Sequence, residues 1–204
     1  MIGLTTRNPS EDVVASAFIA TPRGECPLEE LKIGDRIITR DNGLQKICWV
    51  GRRDLTAQDL SAQPHLKPVL IRAGALGNGL PESNMLVSPQ HRFLIHNEKA
   101  GALDVETEVL AAAKHLVGIQ GVDVIEARQA SYILFMFEQH EVILSNGTWT
   151  ECFQPAEKVV DGMGAEQRKE IFALFPSLHE TNGVKAYQET RQSFDQNRAK
   201  MLVK

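Results

Sequence analysis

The chain has 204 residues, a formal net charge of −4 and a pI near 5.9. That length suits one large all-β domain or one domain with an appendage, and the acidic balance offers no basic face to nucleic acid. Three cysteines, Cys26, Cys48 and Cys152, are too few for a disulfide framework, and the lack of any CxxC excludes a thiolate zinc finger.

Residues 1–14 read as a polar lead-in arm carrying Pro9, Glu11 and Asp12. The arm lacks the apolar core of a signal peptide, and no run in the chain has the length of a membrane span. The expected location is therefore the cytoplasm, or the exterior by a leaderless route. Phe18 to Thr21 is a short strand, and Pro22-Arg23-Gly24-Glu25 a turn. Arg36 to Thr39 is β-branched and strand-like. Asp41-Asn42-Gly43 signals a type I′ hairpin, with Lys46 to Val50 as the returning strand. Gly51-Arg52-Arg53-Asp54 reads as a turn and Leu55 to Lys67 as a loop. Val69 to Arg72 is a strand, and glycine-rich Ala73 to Asn84 a second loop.

Beyond a strand at Arg92 to Ile95, Val109 to His115 has the look of one or two helical turns, and Val122 to Ala127 of a strand. Tyr132 to Phe137 is almost wholly apolar and of strand length. Val142-Ile143-Leu144 and Thr148-Trp149-Thr150 flank Ser145-Asn146-Gly147, a hairpin signal. After Pro155 the texture becomes helical, over Ala165 to Phe175 and again over Tyr187 to Val203. The expected organisation is an arm over 1–17, an all-β body over 18–155 and a helical extension over 156–204.

One stretch stands out chemically, Leu86 to His96, reading LVSPQHRFLIH. Pro89 pushes Ser88 out of the helical region, so Ser88 and His91 lie on a turn entering a strand. A hydroxyl and an imidazole three apart can reach one peptide group from the same side. Such a pair can polarise an amide. It can equally be a polar turn, with Ser88 capping a backbone N–H and His91 hydrogen-bonded in the core.

Three segments in order carry a resemblance. They are Ile19 to Gly24 with Leu31, Gly34 and Asp35; then Ser88-Pro89-Gln90-His91; then Phe137 to Gly147, with His140-Glu141-Val142 before Asn146-Gly147. Together they resemble the Hint family, the self-processing domain shared by hedgehog proteins and inteins, in its bacterial VSPQHR form. The likeness runs from about Phe18 to Pro155. It implies an all-β horseshoe of many short strands with pseudo-twofold related halves, and no cofactor. It also implies an N-to-S acyl shift, in which a cysteine at the domain's first position attacks the preceding carbonyl. Ser88 and His91 stand where the family's T-x-x-H activates the scissile amide, and His140 at its second histidine, expected near His91.

The departures bear on activity. Counting back from Ile19 by the family's spacing reaches Asp12, a weak nucleophile at neutral pH. Ser16 carries a hydroxyl four residues later and is the alternative nucleophile. Glu151 and Cys152 fall where an intein would carry His-Asn. The expectation is a Hint-type domain degenerate for self-cleavage and incapable of splicing, with Ser88, His91 and His140 vestigial or auxiliary. It would then serve as a structural or interaction module. The alternative is a domain that still cleaves itself, through Ser16 or another nucleophile. Expected partners are a protein or a second copy through the Tyr187–Val203 helix, with no nucleic acid and no membrane. His91, His140 and Cys152 would also form a zinc or copper site if the fold brought them together; metal content of untagged protein, with His91→Ala as control, tests this.

Overall fold

The computed structural model describes residues 2–7, 14–15, 17–96, 108–138, 140–152 and 192–194. The described residues form sixteen strands divided between two sheets. The first sheet contains β1 (Ile2–Arg7), β2 (Val14–Ala15), β7 (Trp49–Thr56), β8 (Val69–Ile71), β9 (Met85–Val87), β12 (Val122–Val124) and β13 (Gln129–Met136). Its order is β12-β8-β9-β1-β13-β7, with β2 paired to β1. The second contains β3 (Phe18–Thr21), β4 (Gly24–Pro27), β5 (Arg36–Thr39), β6 (Gly43–Lys46), β10 (Arg92–His96), β11 (Glu108–Ala112), β14 (Glu141–Ser145), β15 (Thr148–Cys152) and β16 (Gln192–Phe194). It runs β16-β11-β10-β15-β14-β3-β4, and the β5–β6 hairpin joins it through β14. The all-β body expected from the sequence is therefore present. Helix is limited to α1 (Ala57–Ala62), α2 (Ala113–Leu116) and two 3-10 turns among the described residues.

The core draws on both sheets. Ile71, Val87, Ile133 and Phe135 of the first sheet and Ile19, Ile37, Phe93, Val109 and Ile143 of the second belong to one buried cluster. Strands β8, β9 and β13 are apolar on nearly every residue, because both of their faces are covered. The Tyr132 hydroxyl donates to the Leu66 carbonyl, which satisfies the one polar atom of a fully buried ring.

Several local expectations change. The arm is not a loose lead-in: Ile2–Arg7 is an interior strand, pairing with β13 from Ile2↔Leu134 to Thr5↔Ser131 and with β9 at Gly3↔Val87. Gly51 to Asp54 is no turn but the middle of β7, an edge strand paired along its length with β13. Its charges suit an edge, where Arg52 and Asp54 both bond Ser131. The stretch after Thr56, expected as loop, opens on α1, whose start is fixed by a capping box between Thr56 and Asp59. Val109 lies on a strand rather than a helical turn; only Ala113–Leu116 is helical. The Asp41-Asn42-Gly43 hairpin closes on Thr39↔Gly43, a three-residue loop with Gly43 at φ 66°, not a two-residue type I′ turn. Of the helix expected over Tyr187 to Val203, residues 192–194 form β16, parallel to β11; the remainder, and Ala165 to Phe175, lie outside the described residues.

The Asn146-Gly147 signal behaves as its chemistry dictates. Asn146 has φ 47° and Gly147 φ 75°, the pair of positive values that a two-residue turn between Ser145 and Thr148 requires. The Asn146 side chain also ties three segments together. Its Oδ1 accepts from the Phe18 N–H at 2.8 Å, and its Nδ2 donates to Ser83 Oγ at 2.7 Å. This is the structural reading of Asn-Gly: an amide committed to hydrogen bonds.

Candidate functional site

Strands β10 and β15 run side by side at Phe93↔Thr150. Continuing that antiparallel register sets Arg92 opposite Glu151 and His91 opposite Cys152. Side chains alternate across a strand, so the two-stranded ribbon presents two different chemistries on its two faces.

One face is ionic. Arg92 donates from Nε and Nη2 to the two oxygens of Glu151, each at 2.5 Å. His140 Nε2 lies 2.8 Å from Glu151 Oε1. All three side chains are buried. Burial alone would raise the Glu151 pKa, but the Arg92 guanidinium and the His140 contact outweigh it and hold the carboxyl well below the usual range. A planar guanidinium fork matched to a carboxylate is the geometry in which a buried pair recovers its desolvation cost.

The other face is polar but almost uncharged. Ser88 and His91 are linked through the turn, where the His91 N–H donates to the Ser88 carbonyl at 3.1 Å. The His91 ring stands edge-on to Phe93, centroids 4.9 Å apart. Burial drives the His91 pKa down to about 3, against the pull of Glu151, so the imidazole is neutral at physiological pH. Cys152 donates its thiol proton to the Phe135 carbonyl at 3.0 Å, and burial pushes its pKa up to about 11. Among the described residues, three buried side-chain atoms have no hydrogen-bond partner: Ser88 Oγ, His91 Nε2 and Thr150 Oγ1. Buried polar atoms are normally paired, so this concentration of unused capacity marks the site.

The structure thus joins Ser88 and His91 as the sequence suggested. The β10–β15 register sets Cys152 across from His91, and His140 contacts Glu151. The metal set of His91, His140 and Cys152 does not assemble; among the described residues, no three His, Cys, Asp or Glu could hold a metal. Ser16 and Asp12 lie outside the described residues. Arg92 and Thr150 escaped the sequence reading as site residues, and Glu151 entered it only as the place where an intein would carry His-Asn. The available signal was weak: an Arg and a Glu inside otherwise apolar strands, RFLIH and TWTEC.

Comparison with known proteins gives the setting. No curated protein matches the chain. Among solved structures, the gp41-1 intein is 12% identical, covering 74% of this chain and 98% of its own, at a TM-score of 0.40. The bacterial intein-like domain from Clostridium thermocellum is also 12% identical, covering 68% and 96%, at 0.44. These likenesses are too distant to carry an argument about chemistry. The family assignment rests instead on the sequence match to the Hint domain, which spans residues 13–157 and takes in both β10 and β15. By that match, over well more than half its length, the chain belongs to the Hint domain family.

Proposed function

We propose that this Hint domain no longer cleaves itself and acts as a structural or interaction module. The observation that carries the reading is the state of the thiol at the site. Cys152 faces the His91 position, yet it is buried, protonated up to about pH 11 and committed to the Phe135 carbonyl. A thiol in that state is no nucleophile, because the attacking species is the thiolate. His91 does not supply a base strong enough to change this, since its own pKa is driven down to about 3. The position matching the family's opening cysteine is Asp12. Glu151, in the region where an intein would carry its terminal His-Asn, is engaged by Arg92. Splicing has no terminal asparagine to work with there.

A second reading keeps self-cleavage, and one observation favours it. Ser88 Oγ and His91 Nε2 retain unused hydrogen-bonding capacity, as amide-activating groups would. Under this reading the Ser16 hydroxyl, or another nucleophile at its own residue, attacks the preceding carbonyl; the amide C–N bond breaks, the nitrogen takes the nucleophile's proton and leaves as the free amine, and an ester (a thioester for a thiol) remains.

Intact mass spectrometry separates the two. The module reading expects one full-length species, unchanged after incubation with dithiothreitol or hydroxylamine. A shortened chain, or a hydroxylamine-sensitive ester at Ser16, would establish the second. Under the module reading the partner is a protein or a second copy of this chain. The Tyr187–Val203 segment is one surface for it, which light scattering of the full chain against one truncated after residue 186 would test.

A further inference from the structure

Self-processing of the Hint kind acts at the carbonyl before the domain's first position, and that position falls here on Asp12. The family match itself begins at residue 13. Ile2–Arg7 therefore lies upstream of the family's domain, yet it forms β1, an interior strand of the first sheet. It pairs with β13 from Ile2↔Leu134 to Thr5↔Ser131 and with β9 at Gly3↔Val87. It also pairs with β2, the next strand in the chain, at Thr6↔Ala15 and Arg7↔Val14. The domain boundary thus falls between the two partners of one antiparallel pair.

Removing β1 would be costly. In the order β12-β8-β9-β1-β13-β7, its loss divides the sheet into a three-stranded and a two-stranded piece. The neighbouring residues Val87, Tyr132 and Leu134 have no exposed surface, and Val87 and Ile133 belong to the main buried cluster. Main-chain groups left unpaired among such residues have no ready access to water. A cut between β1 and β2 is a different matter. It breaks none of the ladder bonds to β9 or β13, and removes only the tether that raises the strand's effective concentration.

We propose that β1 is a retention strand. When the chain is cut between Arg7 and Val14, the upstream piece stays bound between β9 and β13, and the product is a two-piece complex rather than a released segment. Polypeptide joined to the start of β1 is held with it. The inference goes beyond both readings of the site, because it rests on strand pairing and not on the state of Cys152 or Ser16. It also means that a cut there is visible under denaturing conditions and hidden from native chromatography.

The test inserts a protease recognition sequence between Asn8 and Pro9 of the full chain, cleaves it, and passes the product through a gel-filtration column at low concentration. Denaturing mass spectrometry of the folded peak should find both pieces in equal amounts, and a column run in denaturant should separate them. Leu4→Pro removes one main-chain donor from β1 and is expected to weaken retention about tenfold or more. Should that variant fail to fold, hydrogen exchange decides: the Ile133 and Leu134 amides are expected to be as protected in the cut protein as in the uncut one. Loss of the upstream piece on the native column overturns the proposal. So does equal retention in the folded Leu4→Pro protein, or loss of the Ile133 and Leu134 protection on cutting. Self-cleavage by the domain is a separate result, read as a shortened chain without added protease.

Discussion

Removing the Glu151 carboxylate should be among the most damaging single changes available in this domain. Glu151→Ala deletes two 2.5 Å bonds from Arg92 and the 2.8 Å contact with His140. The side chains of Arg92 and Glu151 are only 7% and 2% exposed, so little water can take over. Breaking one partner of such a pair typically costs about 3–5 kcal/mol, mainly from the charge left behind. Against a typical domain stability of about 5–15 kcal/mol that is a large share. Replacing both partners with apolar residues, as in Arg92→Met with Glu151→Leu, removes both desolvation costs together. The double variant is expected within about 2 kcal/mol of the wild type, on either side. With Arg92→Met and Glu151→Leu also measured singly, urea unfolding followed by tryptophan fluorescence, with a common m-value across that cycle, gives the coupling energy. A Glu151→Ala cost below about 1 kcal/mol, or single effects that simply add in the double variant, would refute the view that this ion pair joins β10 to β15.

Other expectations follow from the same contacts. Because His91 titrates near 3 folded against 6.5 free, the stability tied to its neutral form is complete above pH 6.5 and is lost as pH falls from 6.5 toward 3. The lowered Glu151 pKa acts in the same direction below its free value of 4.5. The Cys152 thiol, raised from 9.0 to about 11, contributes stability that is lost as pH rises through that interval. The melting temperature should therefore peak between about pH 6.5 and 9, and a rise on acidification from pH 7 to 5 would contradict the buried neutral imidazole. Asn146→Gly keeps the turn's positive φ but leaves the Phe18 N–H and Ser83 without their partner, at an expected cost of about 1–3 kcal/mol by denaturant titration. Wild-type Asn146-Gly147 should deamidate far more slowly than the same dipeptide in a short peptide, read as a 1 Da gain over time. Thr150→Val deletes a buried hydroxyl with no partner and should stabilise the free protein by up to about 1–2 kcal/mol; destabilisation would mean that the hydroxyl is paired.

Short-range chemistry was legible in the sequence. Asn146-Gly147 needed two positive φ angles and nothing else, so the hairpin could be read without its surroundings. The apolar run from Tyr132 to Phe137 named its own burial, and Ser88-Pro89-Gln90-His91 identified the turn at the centre of the site. The sequence also carried the Hint resemblance, through three motifs in order, and with it the all-β fold class.

What lay beyond the sequence was every property set by which strand adjoins which. Arg52-Arg53-Asp54 reads as a turn until β13 is seen beside it, because charged residues suit an edge strand as well as a loop. Residues 2–7 read as an arm because their interior position comes from vacant backbone groups on β9 and β13, which leave no mark in the residues themselves. The contact of His140 with Glu151 was hidden because it joins the residue before β14 to one on β15, and only the β14–β15 register brings them together. Local torsional preferences are written one residue at a time, whereas pairing and facing are properties of two distant segments at once. The tertiary structure therefore decided the charge, the protonation and the open hydrogen bonds of the site.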